Sequence, residues 1–187
     1  MKTVRFTDLQ TERLNLRQPT LEDVPAIVRH AGDPRVALKT CTMPHPYFKS
    51  HALEWLDQIQ LEHRRGDVLN YAIERKDEPG VMIGAISLMI APSRCRAEIG
   101  YWLGVRHWRR GIMTEAVRRL FRYGFEELGL LYIHARHMTG NAASGRVMEK
   151  AGMRLESIIA GGLTRFGVNY DQATYGLFAD EWRAHHT

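Results

Sequence analysis

The stretch Glu98-Ile99-Gly100-Tyr101-Trp102-Leu103-Gly104-Val105-Arg106-His107-Trp108-Arg109-Arg110-Gly111-Ile112-Met113-Thr114-Glu115-Ala116 decides how this chain reads. Its first part belongs to a period-2 run over residues 96–105 and predicts a strand. Its last part opens a helix over residues 111–128, with Ile112, Ala116, Leu120 and Phe121 on one stripe. Between them lies a short basic turn. A helix start exposes N–H groups that have no intrahelical partner and carries about half a positive charge, so it attracts anions. Arg109 and Arg110 add side-chain donors, and Gly111 lets the backbone approach a ligand where a Cβ would intrude. Neither GxxxxGK nor GxGxxG occurs. Physics alone therefore stops at a strand–turn–helix suited to a diphosphate, and a glycine-started helix with a basic cap would look the same.

Outward from this segment the chain alternates between periods. Leu14 to Arg17 reads as a first strand, and Thr20 with Asp23 three residues on suggests a capping box for a helix that stops near Gly32-Asp33-Pro34. Residues 40–50 hold two prolines and read as a loop. Ser50 is the expected cap of a second helix, with Ala52, Trp55, Leu56 and Ile59 on one face and an end near Gly66. Strands are expected over 69–74 and 81–90, joined by a turn at Asp77-Glu78-Pro79-Gly80. Beyond the long helix come a strand at 130–138, a helix at 141–151 and strands at 153–161 and 166–178. The order predicts an α+β (mixed α/β) fold, a mostly antiparallel sheet of six to seven strands flanked by about four helices. The whole of 1–187 reads as one domain.

Composition narrows the class. The chain has 187 residues, 44% hydrophobic and 25% charged, a balance that excludes a disordered or fibrous polymer. The longest apolar run, Val81 to Ala91, is too short for a membrane span, which takes ~20 residues. Charges interrupt the N-terminal segment where a secretion signal would be apolar. Two distant cysteines, Cys41 and Cys95, fit a reducing cytoplasm and supply no metal framework. The net charge of +5, concentrated in Arg106, Arg109, Arg110, Arg118, Arg119 and Arg122, suits a nucleic acid, a phosphate-rich cofactor or plain solvation equally well.

The segment at Trp108-Arg109-Arg110-Gly111-Ile112-Met113 resembles the pyrophosphate loop of the GNAT superfamily of N-acetyltransferases, usually Gln/Arg-x-x-Gly-x-Gly/Ala. Four further patterns look like the branch of ribosomal-protein N-terminal acetyltransferases. They are Thr11-Glu12-Arg13-Leu14-x-Leu16-Arg17 with Ala97 to Leu103, then Asn141-x-x-Ser144-x-x-Val147-x-Glu149-Lys150-x-Gly152, then Gly167-x-x-x-Asp171-x-x-x-Tyr175-x-Leu177. Two departures stand out. Trp108 replaces Gln or Arg, and Met113 replaces a small residue, so its side chain must turn into the core.

The resemblance implies acetyl transfer from acetyl-CoA to a primary amine in a ternary complex, with no metal. It implies a cofactor site at Leu103, Val105, Trp108, Arg109, Arg110, Gly111, Ile112, Met113, Thr114, Asn141 and Ser144. It also implies that the central strands part beside this loop, with Gly100 and Gly104 tolerating the irregular backbone and a backbone N–H near Leu103 meeting the oxyanion. Glu98 is the candidate base; it shares strand parity with Gly100 and Trp102, and a structural ion pair with an arginine is its competing role. Ser144 would hydrogen-bond the sulfur, because Met148 stands where many members carry a tyrosine acid; a helix-start role competes. His45, Tyr47 and Tyr170 are expected to wall the acceptor site. The acceptor implied is a peptide α-amine, possible in a ribosomal protein, with a small amine open. A non-catalytic acyl-CoA or RNA module is the rival class, though the resemblance disfavours nucleic acid as partner. A serine hydrolase lacks its GxSxG elbow. An oligomer, a dimer in the simplest case, stays open.

Overall fold

The computed structural model describes residue 4, residues 6–93 and residues 95–184; the His185-His186 pair, whose role the sequence leaves open, lies outside the described residues. Leu14 and Leu16 alternate with polar neighbours and bury one side of a short strand, β2 (Leu14–Arg17), which pairs with the two-residue β1 (Leu9–Gln10). In order follow α1 (Val24–Ala31), α2 (Pro34–Ala37), α3 (Lys49–Arg65), β3 (Val68–Arg75), β4 (Glu78–Ile90), β5 (Arg96–Leu103), α4 (Ile112–Arg122), β6 (Tyr132–Met138), α5 (Ala142–Lys150), β7 (Arg154–Arg165), β8 (Val168–Phe178) and α6 (Ala179–Ala184). The strands form one sheet in the order β1-β2-β3-β4-β5-β6-β8-β7. Every pairing is antiparallel except β5 with β6.

The sheet has two covered faces, because apolar residues alternate along its middle strands. One face carries Tyr71, Ile86, Leu88, Ile99 and Ile133 against Ala116, Leu120 and Phe121 of α4 and Met148 of α5. The other carries Ala72, Met82 and Ala85 against Val24 and Ile27 of α1 and Ala52, Leu56 and Ile59 of α3. Burying that much aliphatic surface on both sides is what holds the layers together.

The mixed, mostly antiparallel architecture agrees with expectation, with differences of detail. Among the described residues the sheet has eight strands, one more than the expected six to seven, since β1 is too short to show a period. Two additional helices are α6 and the four-residue α2, which restarts at Pro34 because Asp33 caps the N–H of Arg35 at 2.9 Å and proline suits a first helical position. Ser50 does not cap α3. The helix begins at Lys49, and the His51 ring accepts the Phe48 N–H at 3.0 Å instead. The tight turn after β3 is at Lys76-Asp77, while Glu78-Pro79-Gly80 joins β4 beside a register shift. β5 stops at Leu103, so Val105 lies in a single helical turn over Val105–His107. α4 widens into an i→i+5 turn over Tyr123–Glu127 before Gly129 at φ +71°.

The centre of the sheet is where regularity fails. β5 and β6 pair only from Arg96 with Tyr132 to Ile99 with Ala135. Beyond that point Gly100–Leu103 stay on β4, whereas Arg136–Met138 follow β8. The two strands part, and the opening faces the start of α4.

Stability responds to pH through the histidines. Burial pushes the imidazoles of His30, His63, His107 and His134 below the ordinary value near 6.5, against the pull of Glu98 at His134. The unfolded chain then binds more protons than the folded one as the pH falls through about 6.5, so folding stability is full above that value and declines below it. Urea melts are expected to give a lower midpoint at pH 5.0 than at pH 7.5; an equal or higher midpoint at pH 5.0 contradicts this.

Candidate active site

The helix α4 begins without a side-chain cap: Gly111 precedes it at φ +75°, and the first intrahelical bond is Glu115 N–H to Gly111 O at 3.0 Å. The N–H groups of Gly111, Ile112, Met113 and Thr114 are therefore the helix's unpaired donors. Arg109 is also left-handed, at φ +60°, so the turn curls into a concavity of the kind that backbone N–H groups form around anions. Met113 is buried in the core, leaving only its backbone on the turn. The Trp108 indole donates to Leu103 O at 2.7 Å and pins the turn to the end of β5.

A second link holds this turn from the N-terminal side. Glu115 accepts from Thr11 Oγ1 at 2.5 Å, from the Arg13 N–H at 3.1 Å and from Arg13 Nε at 2.6 Å, while Arg13 Nη1 donates to Arg110 O at 3.1 Å. Burial pushes the Glu115 carboxyl up, but the donors from Thr11 and Arg13 outweigh it and hold the group below the ordinary carboxylate value. Arg118 donates to Lys150 O, Arg119 pairs with Glu127 at 3.3 Å, and Arg122 pairs with Glu126 at 3.0 Å. Half of the basic cluster is thus engaged locally.

A cleft of about 1840 Å³ runs from α4 through the opening to α3. That exceeds the roughly 300–1,000 Å³ of a typical small-molecule pocket. Leu103, Trp108, Arg109, Gly111–Thr114, Asn141 and Ser144 all line it; Val105 and Arg110 are outside the lining. The Gly104 N–H bonds Ile83 O, so alternation along β5 directs the N–H groups of Tyr101 and Leu103 away from β4 and into the opening. Glu98 also lines the cleft, but both its oxygens are held by Arg136, Oε1 by Nε and Oε2 by Nη2, each at 2.9 Å. Ser144 lies on α5 and meets a residue that sequence reading passed over: Tyr101 Oη is 2.9 Å from Ser144 Oγ and 3.1 Å from Ser144 O. Asn141 caps α5 through its Oδ1, 3.4 Å from the Ser144 N–H, and its Nδ2 donates to Lys39 O at 3.2 Å.

A family profile described as an acetyltransferase (GNAT) domain matches residues 13–154, which takes in Arg13, the opening, the whole of α4 and Ser144. The chain belongs to the GNAT acetyltransferases. It is 32% identical over 182 residues to an uncharacterized N-acetyltransferase, YoaA, of Bacillus subtilis (strain 168), covering 92% of this chain and 97% of the relative. It is 32% identical over 98 residues to the ribosomal-protein-serine acetyltransferase of Escherichia coli (strain K12), covering 52% and 53% of the two chains. Among solved structures, RimL, the ribosomal L7/L12 alpha-N-protein acetyltransferase in complex with coenzyme A, superposes with a TM-score of 0.83 over 94% of this chain and 99% of that one. At 22% identity that last likeness speaks for the fold.

On the far side of this GNAT sheet, residues 39–44 and Tyr47 wall the cleft as a strap between α2 and α3. Burial, with Glu54 nearby, pushes the Tyr47 phenol up to about 12. His45 is exposed and Tyr170 sits on the β7–β8 hairpin; neither lines the cleft. Glu54, Gln58 and Glu62 do line it, at i, i+4 and i+8 on one face of α3. Glu62 accepts from Gln58 at 3.0 Å and Asn70 at 2.9 Å. Their helical spacing was the available signal, masked by an otherwise ordinary polar helix face.

The strap is pinned by Arg165 at the end of β7, only 5% exposed, whose guanidinium reaches Thr40 O and, at 3.0 Å, Met43 O. Lys39 Nζ adds a bond to Gly140 O at 3.0 Å. Because carbonyls hold this charge, Arg165→Ala removes two anchors at once. Amide exchange over residues 38–48 is expected to speed up by about tenfold or more, with exchange in β3 unchanged. Unaltered exchange in the strap contradicts the anchoring role.

Proposed function

We propose that this N-acetyltransferase moves an acetyl group from acetyl-CoA to a peptide or protein N-terminal α-amine, possible in a ribosomal protein, by direct attack in a ternary complex. One observation carries the reading: the parted strands β5 and β6 open beside the uncapped start of α4. The residues present fit the co-substrate. The unpaired N–H groups of Gly111–Thr114 suit its diphosphate, and the released edge of β5 suits a chain that carries amide groups. Acetyl-CoA supplies an activated thioester, and this chain's own residues do the rest.

The Leu103 N–H points into the opening, where it would face the thioester oxygen as charge builds on it; one such donor is worth roughly 10²–10³ in kcat. Glu98 stands on the α3 side, with its oxygens still able to accept a proton from the amine directly or through water while Arg136 orients them. An α-amine, with an ordinary pKa of ~7.7–8.0, is partly neutral near pH 7 and needs less help than a lysine near 10.4. Ser144 Oγ is suited to donate to the departing sulfur. The E. coli relative's serine acceptor, and RimL's name, support a peptide N-terminus as acceptor. Both cysteines, Cys41 and Cys95, are free thiols, as a reducing cytoplasm would keep them. Among the described residues no helix is long and apolar enough to cross a membrane.

Calorimetry with coenzyme A is expected to give saturable binding, and thiol release from acetyl-CoA is expected to be fastest with seryl peptides in a panel that also holds spermidine and an aminoglycoside. Silence in the titration overturns the co-substrate; preference for a small amine overturns the acceptor. Glu98→Gln is expected to lower kcat by about 10²-fold, the scale of a positioned base, with coenzyme A affinity retained. An unchanged kcat removes Glu98 from the chemistry.

A further inference from the structure

Tyr101 and Ser144 are 43 residues apart and belong to different layers, yet their hydroxyls touch. Ile99, Tyr101 and Leu103 share one face of β5, the face covered by α4 and α5. Tyr101 is the middle of the three, two residues before the strand ends at Leu103, and it stands where β6 has already left β5. Its ring therefore extends beneath the opening to α5, and its oxygen arrives at Ser144.

The hydrogen count at this contact is restrictive. Each hydroxyl has one proton and accepts through its lone pairs. The Ser144 carbonyl only accepts, and within α5 it already faces the N–H four residues on. If the phenol donates to that carbonyl, the serine proton turns back to the phenol. If the phenol donates to Oγ, the serine proton is released toward the cleft that Ser144 lines. Burial raises the Tyr101 phenol well above its ordinary value, against the Ser144 hydrogen bond, so the ring stays neutral and remains a donor. Met148, one turn along α5 from Ser144, is buried in the core and offers no donor.

We propose that Tyr101 is a positioning residue for acetyl transfer: its phenol donates to Ser144 Oγ and so aims the single serine proton at the departing sulfur. The proposal rests on the reading of Ser144 given above. During transfer the acceptor nitrogen forms the new C–N bond and the C–S bond breaks, its electron pair going to sulfur. The surplus proton on nitrogen leaves through Glu98 or water. The sulfur departs as a thiolate held by the Ser144 proton and takes its own proton from solvent afterwards. Tyr101 neither gains nor loses a proton; it fixes which way Ser144 points.

A double-mutant cycle of Tyr101→Phe and Ser144→Ala tests this on the full chain. Thiol release is read with the fastest peptide of the acceptor panel and, without acceptor, as acetyl-CoA hydrolysis. Tyr101→Phe is expected to lower kcat about 10-fold with the KM for acetyl-CoA within about twofold, as loss of one oriented hydrogen bond would do. Ser144→Ala is expected to lower it at least as much, and the double variant no further than Ser144→Ala alone. Losses that multiply, or an unchanged kcat in Tyr101→Phe, overturn the role of Tyr101 and leave Ser144 standing. An unchanged kcat in Ser144→Ala overturns both readings at once. Coenzyme A titration and melting of each variant separate a misplaced α5, which would weaken binding as well as turnover, from the orienting role.

Discussion

The parting of β5 from β6 after Ile99 and Ala135 is the constraint on which the site depends. In a continuous sheet the N–H groups of Tyr101 and Leu103 would be spent on the neighbouring strand. Here β5 keeps its antiparallel bonds to β4 while β6 is drawn off by β8, so one edge of β5 is released inside the molecule. A buried strand edge without partners is costly unless something bonds to it. The family's co-substrate, with its row of amides, is the kind of molecule that would.

The surrounding contacts hold this gap in shape. The Trp108 indole ties the basic turn to Leu103, and the Thr11–Arg13–Glu115 cluster ties the same turn to the β1–β2 corner. Both ties converge on the turn that leads into the uncapped start of α4, where two residues in a row of four are left-handed. On the opposite side, Arg165 and Asn141 hold the strap at residues 39–44. Asn141 joins the two halves, because one end of its amide caps α5 and the other reaches the strap. Charge divides along the same line, with arginines around α4 and a carboxylate-bearing face on α3.

Much of the architecture was legible because local physics and tertiary packing agree. The switch from a 3.6 to a 2 period near Val68, the amphipathic stripe of α4 and glycine stops at 66 and 129 each act within a few residues. What escaped was short or non-local. β1 is too brief to show a period, α2 is a single capped turn, and α3 starts one residue before Ser50, with Phe48 at the cap position and the His51 ring reaching back to accept its N–H. In the site, the basic turn, Asn141 and Ser144 could be named from their pattern. Tyr101 could not, since on a strand its parity says only which face it serves. His45 and Tyr170 are expected at the acceptor wall only because the family resemblance points to the segments that hold them, and neither lines the cleft.

By itself the sequence determined the order of the longer elements, the basic turn before a glycine-led helix start and membership of a family, since those rest on neighbours in the chain and on spacing. Only the tertiary structure decided what each polar side chain faces. Whether Glu98 is free or forked onto Arg136, and whether Ser144 stands alone or against a phenol, depends on which strand lies beside which. The reason is geometric: a hydrogen bond is made or lost within a fraction of an ångström, and contacts between residues tens of positions apart are set by how the sheet diverges.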